Sequence, residues 1–185
     1  MIDLQRDFLD SDGWFARVIG SDPAVLREVI GPVQQLVAAA RSAGIPVIHT
    51  RRGAPIGSAG PLGRALVCGE PGWEICHEVA PVAGDHVIDK PGFGAFRGTP
   101  LLELLGSLGA THLVPTGVTA NVCVLSTLLE AVDRGFDCLT VTDAVAAVDT
   151  ELRDRVLDLI RYPHGLFGAL APTATVVAGY SRVQS

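Results

Sequence analysis

The chain has 185 residues, a formal net charge of −6 at pH 7, 48% hydrophobic residues and 18% charged ones. That much apolar surface suits one domain over residues 1–185 and excludes a disordered chain. Scattered arginines in an acidic background exclude a nucleic-acid face, which needs clustered positive potential. No basic segment followed by an apolar one opens the chain, and no apolar run reaches the length of a membrane span, so the sequence reads as cytoplasmic with no membrane partner. Cys68, Cys76, Cys123 and Cys138 lack CxxC spacing, and in a reducing compartment they read as thiols rather than as a disulfide framework.

In chain order, Met1 and Ile2 stand before Asp3 as a nearly absent first strand. Residues 23–43 carry Val25, Val29, Val33, Leu36, Val37 and Ala40 at helical spacing behind Ser21-Asp22-Pro23, with Gly44 at the end. A strand is predicted over 45–50, followed by a stretch over 53–63 rich in glycine, proline and serine that reads as a lid or a surface loop. Next come a strand over 86–89, a helix over 99–108, and a strand over 112–116 that contains Pro115, an awkward residue in a central strand. A helix over 118–134 stops at Gly135, and strand 137–142, helix 151–161 and strand 174–178 complete the series. Alternating strand and helix predicts a three-layer α/β/α sandwich with a mainly parallel sheet, whose ligands sit beyond the carboxyl ends of the strands.

That rule selects three ionisable residues. Asp3 ends the short first strand, Lys90 follows strand 86–89, and Cys123 lies just past Gly117, where strand turns into helix. Lys90 is also the only lysine of a chain whose other basic residues are all arginine. A compact ammonium with a movable pKa does what a guanidinium cannot, although a lone surface lysine left by arginine bias reads the same way. Together the three supply a thiol nucleophile, a cation to stabilise charge, and a carboxylate to accept and return a proton. The bland alternative is a buried cysteine, a solvated terminus and a surface charge.

The stretches MIDLQRDF, IDKPGFGAF and GVTANVCV, with the run over 101–117 and Thr142-Asp143-Ala144, resemble the motif regions of the isochorismatase-like cysteine hydrolases. Nicotinamidases, N-carbamoylsarcosine amidases, biuret hydrolases and ureidoacrylate amidohydrolases are members. The resemblance implies a six-stranded mainly parallel sheet, an Asp-Lys-Cys triad at Asp3, Lys90 and Cys123, and a cis peptide between Val118 and Thr119. It further implies an oxyanion hole made of the backbone N–H groups of Thr119 and Cys123. The reaction so implied is hydrolysis of a small amide, ureide or N-carbamoyl substrate through a thioester, with no cofactor, in a homo-oligomer (dimer or tetramer). Phe8 and Trp73 are expected as pocket walls, with Phe93 and Asn121 also facing substrate.

Ala120, Arg6 and Gly94 stand where the family commonly has Thr, Asn and Ser, which bears on substrate more than on catalysis. The first strand is shorter than the family's, so a start upstream of Met1 is expected. The stretch HTRRGAPIGSAGPLG lacks the Asp-x-His pair of the metal-binding nicotinamidases, leaving His49 without a partner at ligand spacing, so no metal is expected. Arg51 or Arg52 could receive a substrate carboxylate, but adjacent residues of an extended chain point opposite ways and at most one faces the site. Two other readings stay open: an isochorismatase-type vinyl ether hydrolase, which the thiol disfavours, and a noncatalytic binding module on the same fold.

Overall fold

Short, mostly apolar runs pair in parallel in the computed structural model, which describes residues 1–54, 66–162 and 164–182. Strand β1 (Ile48–Arg52) lies beside β2 (His86–Lys90), with Arg52 opposite Lys90. Strands β3 (His112–Leu113), β5 (Asp137–Val141) and β7 (Ala169–Ala171) form a second group in the order β3-β5-β7. Strand β4 (Gly117–Val118) pairs with β6 (Val145–Ala146). Ile2 bridges Thr50 of β1 and Gly117 of β4.

The six-stranded sheet therefore appears as these smaller paired groups. Two physical causes are visible. Pro115 has no N–H to give a ladder and falls in the gap between β3 and β4. At the amino ends of the strands, a cavity of about 700 Å³ separates Ile45–Ile48 from Leu113–Thr116. Only residues 1–3 thread between β1 and β4, through Thr50 N–H to Met1 O (2.9 Å), Ile2 N–H to Thr116 O (2.7 Å) and Val118 N–H to Ile2 O (3.0 Å).

Helices α1 (Arg6–Leu9), α2 (Pro23–Arg27), α3 (Ile30–Ser42), α4 (Leu101–Ser107), α5 (Leu125–Val132), α6 (Thr150–Arg161) and α7 (Thr173–Tyr180) cover the strands. The single helix expected over 23–43 is broken at Glu28 and Val29, so Asp22 caps a short α2 through Ala24 N–H (2.9 Å) and α3 begins afresh. The helix expected over 118–134 opens with a π-helical turn at Ala120–Val124 before α5. The strand expected over 174–178 is helix α7, and the last strand lies earlier, at Ala169–Ala171. Asp143 explains this reversal: its Oδ1 accepts from Thr173 N–H and Thr173 Oγ1 (both 2.8 Å), a cap that overrides the strand preference of Ala-Thr-Val-Val-Ala.

Apolar side chains bury into two clusters. Leu26, Val29, Val33, Leu36, Val37 and Val176 belong to one, beside Val118 and Val141. Leu101, Leu105, Leu128, Val156 and Ile160 belong to the other, beside Ile88 and Val145. Most of the glycine- and proline-rich stretch predicted over 53–63 lies outside the described residues.

Candidate active site

Asp3 is placed by the crossing of residues 1–3 between β1 and β4. Its φ of 52° is a left-handed conformation that aspartate tolerates better than most residues. The turn carries the chain out of the sheet, with Gln5 N–H bonded back to Asp3 O at 2.8 Å. The carboxylate is fully buried, and Thr50 Oγ1 donates to its Oδ1 at 2.6 Å.

Lys90 ends β2 with its ammonium equally buried. Nζ lies 2.8 Å from Asp3 Oδ2 and donates to the carbonyls of Gly92 (3.0 Å) and Phe93 (2.5 Å). Oδ2 has no aligned hydrogen-bond donor among the described residues. Its contact with Lys90 is thus an ion pair by proximity rather than an aligned hydrogen bond.

Cys123 is 2% exposed and sits in the π-helical turn that follows the cis peptide Val118–Thr119. The turn is fixed by Thr119 O, which accepts from Val122 N–H (3.1 Å) and Val124 N–H (3.2 Å), and by Thr127 Oγ1 donating to Cys123 O at 2.7 Å. Burial pushes the Cys123 thiol above its ordinary range, the charge of Asp3 and a hydrogen bond to it add to the rise, and Lys90 and Arg52 oppose it. At rest the sulfur keeps its proton, with the Asp3 carboxylate and the Lys90 ammonium near enough for their charges to act on it. The structure thus brings Asp3, Lys90 and Cys123 together.

The other sequence candidates fall in different places. Phe93 is exposed, gives its carbonyl to Lys90, and lies under the Arg52 guanidinium at 4.9 Å. Trp73 carries Arg51 over its ring at 3.7 Å, and its Nε1 is buried with no hydrogen-bond partner among the described residues. Asn121 lies in the turn before Cys123, with a buried Oδ1 that also has no partner among the described residues. Phe8 packs in the core against Phe15, with ring centroids 4.4 Å apart.

Three contributors escaped the sequence reading. Thr50 orients the Asp3 carboxylate. Gln5, fully buried, donates through Nε2 to Arg52 O (2.9 Å) and Trp73 O (2.7 Å) and accepts from Arg52 N–H (2.9 Å). Glu130 reaches from α5 to accept Phe96 N–H at 2.9 Å, and a Cβ on Gly94 would come within 2.4 Å of that carboxylate, so the bare glycine makes room for it. The only signal for Gln5 was an uncharged amide within an opening otherwise apolar or charged; for Thr50 it was even spacing from Arg52 along β1.

His49 is committed elsewhere, with Nε2 2.9 Å from Asp85 Oδ2. Among the described residues no group of three or more His, Cys, Asp or Glu side chains could hold a metal ion, and no helix is long and apolar enough to cross a membrane. The 700 Å³ cavity at the amino ends of the strands is lined by none of Asp3, Lys90 and Cys123.

A buried thiol beside a carboxylate and an ammonium, in an α/β domain of parallel strands, is the layout of a cysteine-centred hydrolase. The isochorismatase domain family matches residues 1–175. The chain is 30% identical over 167 residues to the ureidoacrylate amidohydrolase RutB of Serratia proteamaculans (strain 568), covering 78% of this chain and 67% of that protein. Among solved structures it resembles the N-carbamoylsarcosine amidase of Thermoplasma acidophilum (TM-score 0.78, 26% identity, 93% of each chain). It shares its fold with a cysteine hydrolase from Pseudomonas syringae pv. phaseolicola 1448A (TM-score 0.89, 24% identity, 99% of this chain and 91% of that one). The chain belongs to the isochorismatase family, and it is a hydrolase.

Proposed function

We propose that this enzyme hydrolyses the C–N bond of a small amide or ureide through a thioester on Cys123. The observation that carries this reading is the buried Asp3–Lys90 pair set against the protonated thiol of Cys123. Similarity to an amidohydrolase and to an N-carbamoylsarcosine amidase supports the substrate class.

Asp3 Oδ2 takes the thiol proton as sulfur attacks the carbonyl carbon. Lys90 keeps positive charge beside the departing proton and the forming thiolate. The oxyanion that develops rests on the N–H groups of Thr119 and Cys123. Asp3 returns the proton to the leaving nitrogen, so ammonia or an amine departs and an acyl thioester remains. Water, giving a proton to Asp3, then attacks the thioester; the acid is released and the thiol is restored. Because the resting thiol is held above its ordinary pKa, proton removal and attack are coupled, and no standing thiolate is needed.

Ammonia release from a panel of small amides, ureides and N-carbamoyl compounds tests the reading, with Cys123→Ala and Asp3→Asn as the decisive variants. Each is expected to lower kcat/KM by about a thousandfold or more, and mass spectrometry of quenched turnover should find the acyl adduct on the Cys123 peptide. Full amidase activity in Cys123→Ala would overturn the mechanism.

A further inference from the structure

The two adjacent arginines at the end of β1 have opposite fates. Strand alternation puts Thr50 and Arg52 on one face and His49 and Arg51 on the other. Thr50 bonds Asp3, so the Arg52 side of the strand is the side of the reacting groups. Arg51 is fully engaged: Asp89 accepts from it at 2.7 and 3.1 Å, Glu74 at 3.4 Å, and Trp73 lies under its guanidinium. Arg52 is only 6% exposed, and its Nε and Nη1 have no hydrogen-bond partner among the described residues. The segment 55–65 contains no aspartate or glutamate that could serve as its counter-ion.

A guanidinium does not deprotonate, and a buried charge without a partner is costly. Its charge is felt at Cys123. The local balance is one negative charge on Asp3 against two positive charges on Lys90 and Arg52, with a neutral thiol. Asp3 is already matched by Lys90. One positive charge is therefore left over, held by the ring of Phe93 below and by Gln5 on its backbone. The indole Nε1 of Trp73, beside the next residue Gly53, is a second buried donor with no partner among the described residues.

We infer that Arg52 is the receptor for a carboxylate on the substrate, and that the amides or ureides turned over here are anionic ones. This rests on the amide-hydrolase reading for the reacting end of the substrate, while the carboxylate subsite stands on Arg52 itself. Arg52 acts on specificity: it draws the carboxylate into the pocket and so fixes where the C–N bond meets Cys123.

The test pairs N-carbamoylglycine and 3-ureidopropionate with their uncharged N-methylamides, and adds calorimetric binding of glutarate to the Cys123→Ala protein. The native enzyme should prefer the acid of each pair by about a hundredfold in kcat/KM, the range of a charged hydrogen-bonded contact. Arg52→Gln should bring that ratio to about one, mainly through KM, and weaken glutarate binding at least tenfold. Arg52→Lys should restore part of the preference, and thermal melts check that each variant is folded. Equal turnover of acid and amide by the native enzyme, or an equal fall for both in Arg52→Gln, overturns the inference and leaves the thioester reading standing. No turnover of any compound, with glutarate binding that depends on Arg52, overturns the thioester reading and supports the subsite. Absence of both turnover and glutarate binding overturns the subsite as well.

Discussion

Lys90 is fully buried against three oxygens: Asp3 Oδ2 at 2.8 Å and the carbonyls of Gly92 and Phe93. A guanidinium in that space would place its charge farther from the backbone and would have to overpack its neighbours, at roughly 1–3 kcal/mol. Lys90→Arg is therefore expected to lower kcat/KM by about a hundredfold or more while circular dichroism still reports a folded chain; native-like turnover would remove Lys90 from the mechanism. Asp3, Lys90 and Cys123 were legible as candidates because each stands in a short motif at or near a strand end. Thr50 and Gln5 were not, since their partners Asp3 and Arg52 lie 47 residues away and meet only through the register of β1 against the first residues. The choice between Arg51 and Arg52 was half legible: alternation says that at most one of them faces the site, and only the placement of Asp3 beside Thr50 shows that Arg52 shares its side of β1.

At the level of elements, the crossing of residues 1–3 between β1 and β4 and the cap of α7 set the framework, and only at α7 do sequence and structure part here. Gly117 has a φ of 118°, and a Cβ there would stand 2.1 Å from Ile2 O, a backbone atom with no freedom to withdraw. Gly117→Ala combines strain with a clash in the joint that carries Asp3, so it is expected to cost about 3 kcal/mol or more and to remove activity with it, read as a lower urea midpoint. An unchanged midpoint would mean that the joint can open. The α7 case is milder. Asp143→Ala removes the acceptor for Thr173 N–H and Oγ1 and is expected to cost about 1–2 kcal/mol in the same assay. Residues 174–178 were misread as a strand because the run is short and β-branched, and the cap that makes it a helix comes from 30 residues earlier in the chain. By contrast α6 was legible, because an Asp149 cap and an amphipathic run of 12 residues state the same element locally.

On the scale of the molecule, one cluster around the buried His49 ties α3, β1 and the turn before β2 together and sets how the fold answers acid. Asp85 accepts from Arg41 (Nη2 2.5 Å, Nε 3.2 Å) and from Val82 N–H (3.1 Å), and lies 2.9 Å from His49 Nε2. Burial pushes the Asp85 carboxyl up, but Arg41, Val82 N–H and His49 outweigh it and hold it at about 2. His49 is pulled down to about 4 by burial, against the opposing pull of Asp85. Both groups have folded pKa values below their unfolded ones, so the unfolded chain binds more protons in each window and stability rises with pH there. The contribution of His49 is complete above its ordinary value of 6.5 and is lost as pH falls toward about 4. That of Asp85 is lost lower, between 3.8 and about 2. The urea midpoint is therefore expected to fall between about pH 7 and about pH 4.5, before carboxylate titration dominates. His49→Gln keeps an amide able to reach Asp85 but removes the titrating ring, so its midpoint should fall less over that interval, the remaining fall near pH 6–7 coming from the buried Met1 ammonium, which burial holds at about 6. If the variant keeps the native slope, the acid sensitivity belongs to other groups, and the Asp85 cluster is a packing joint without a titrating role.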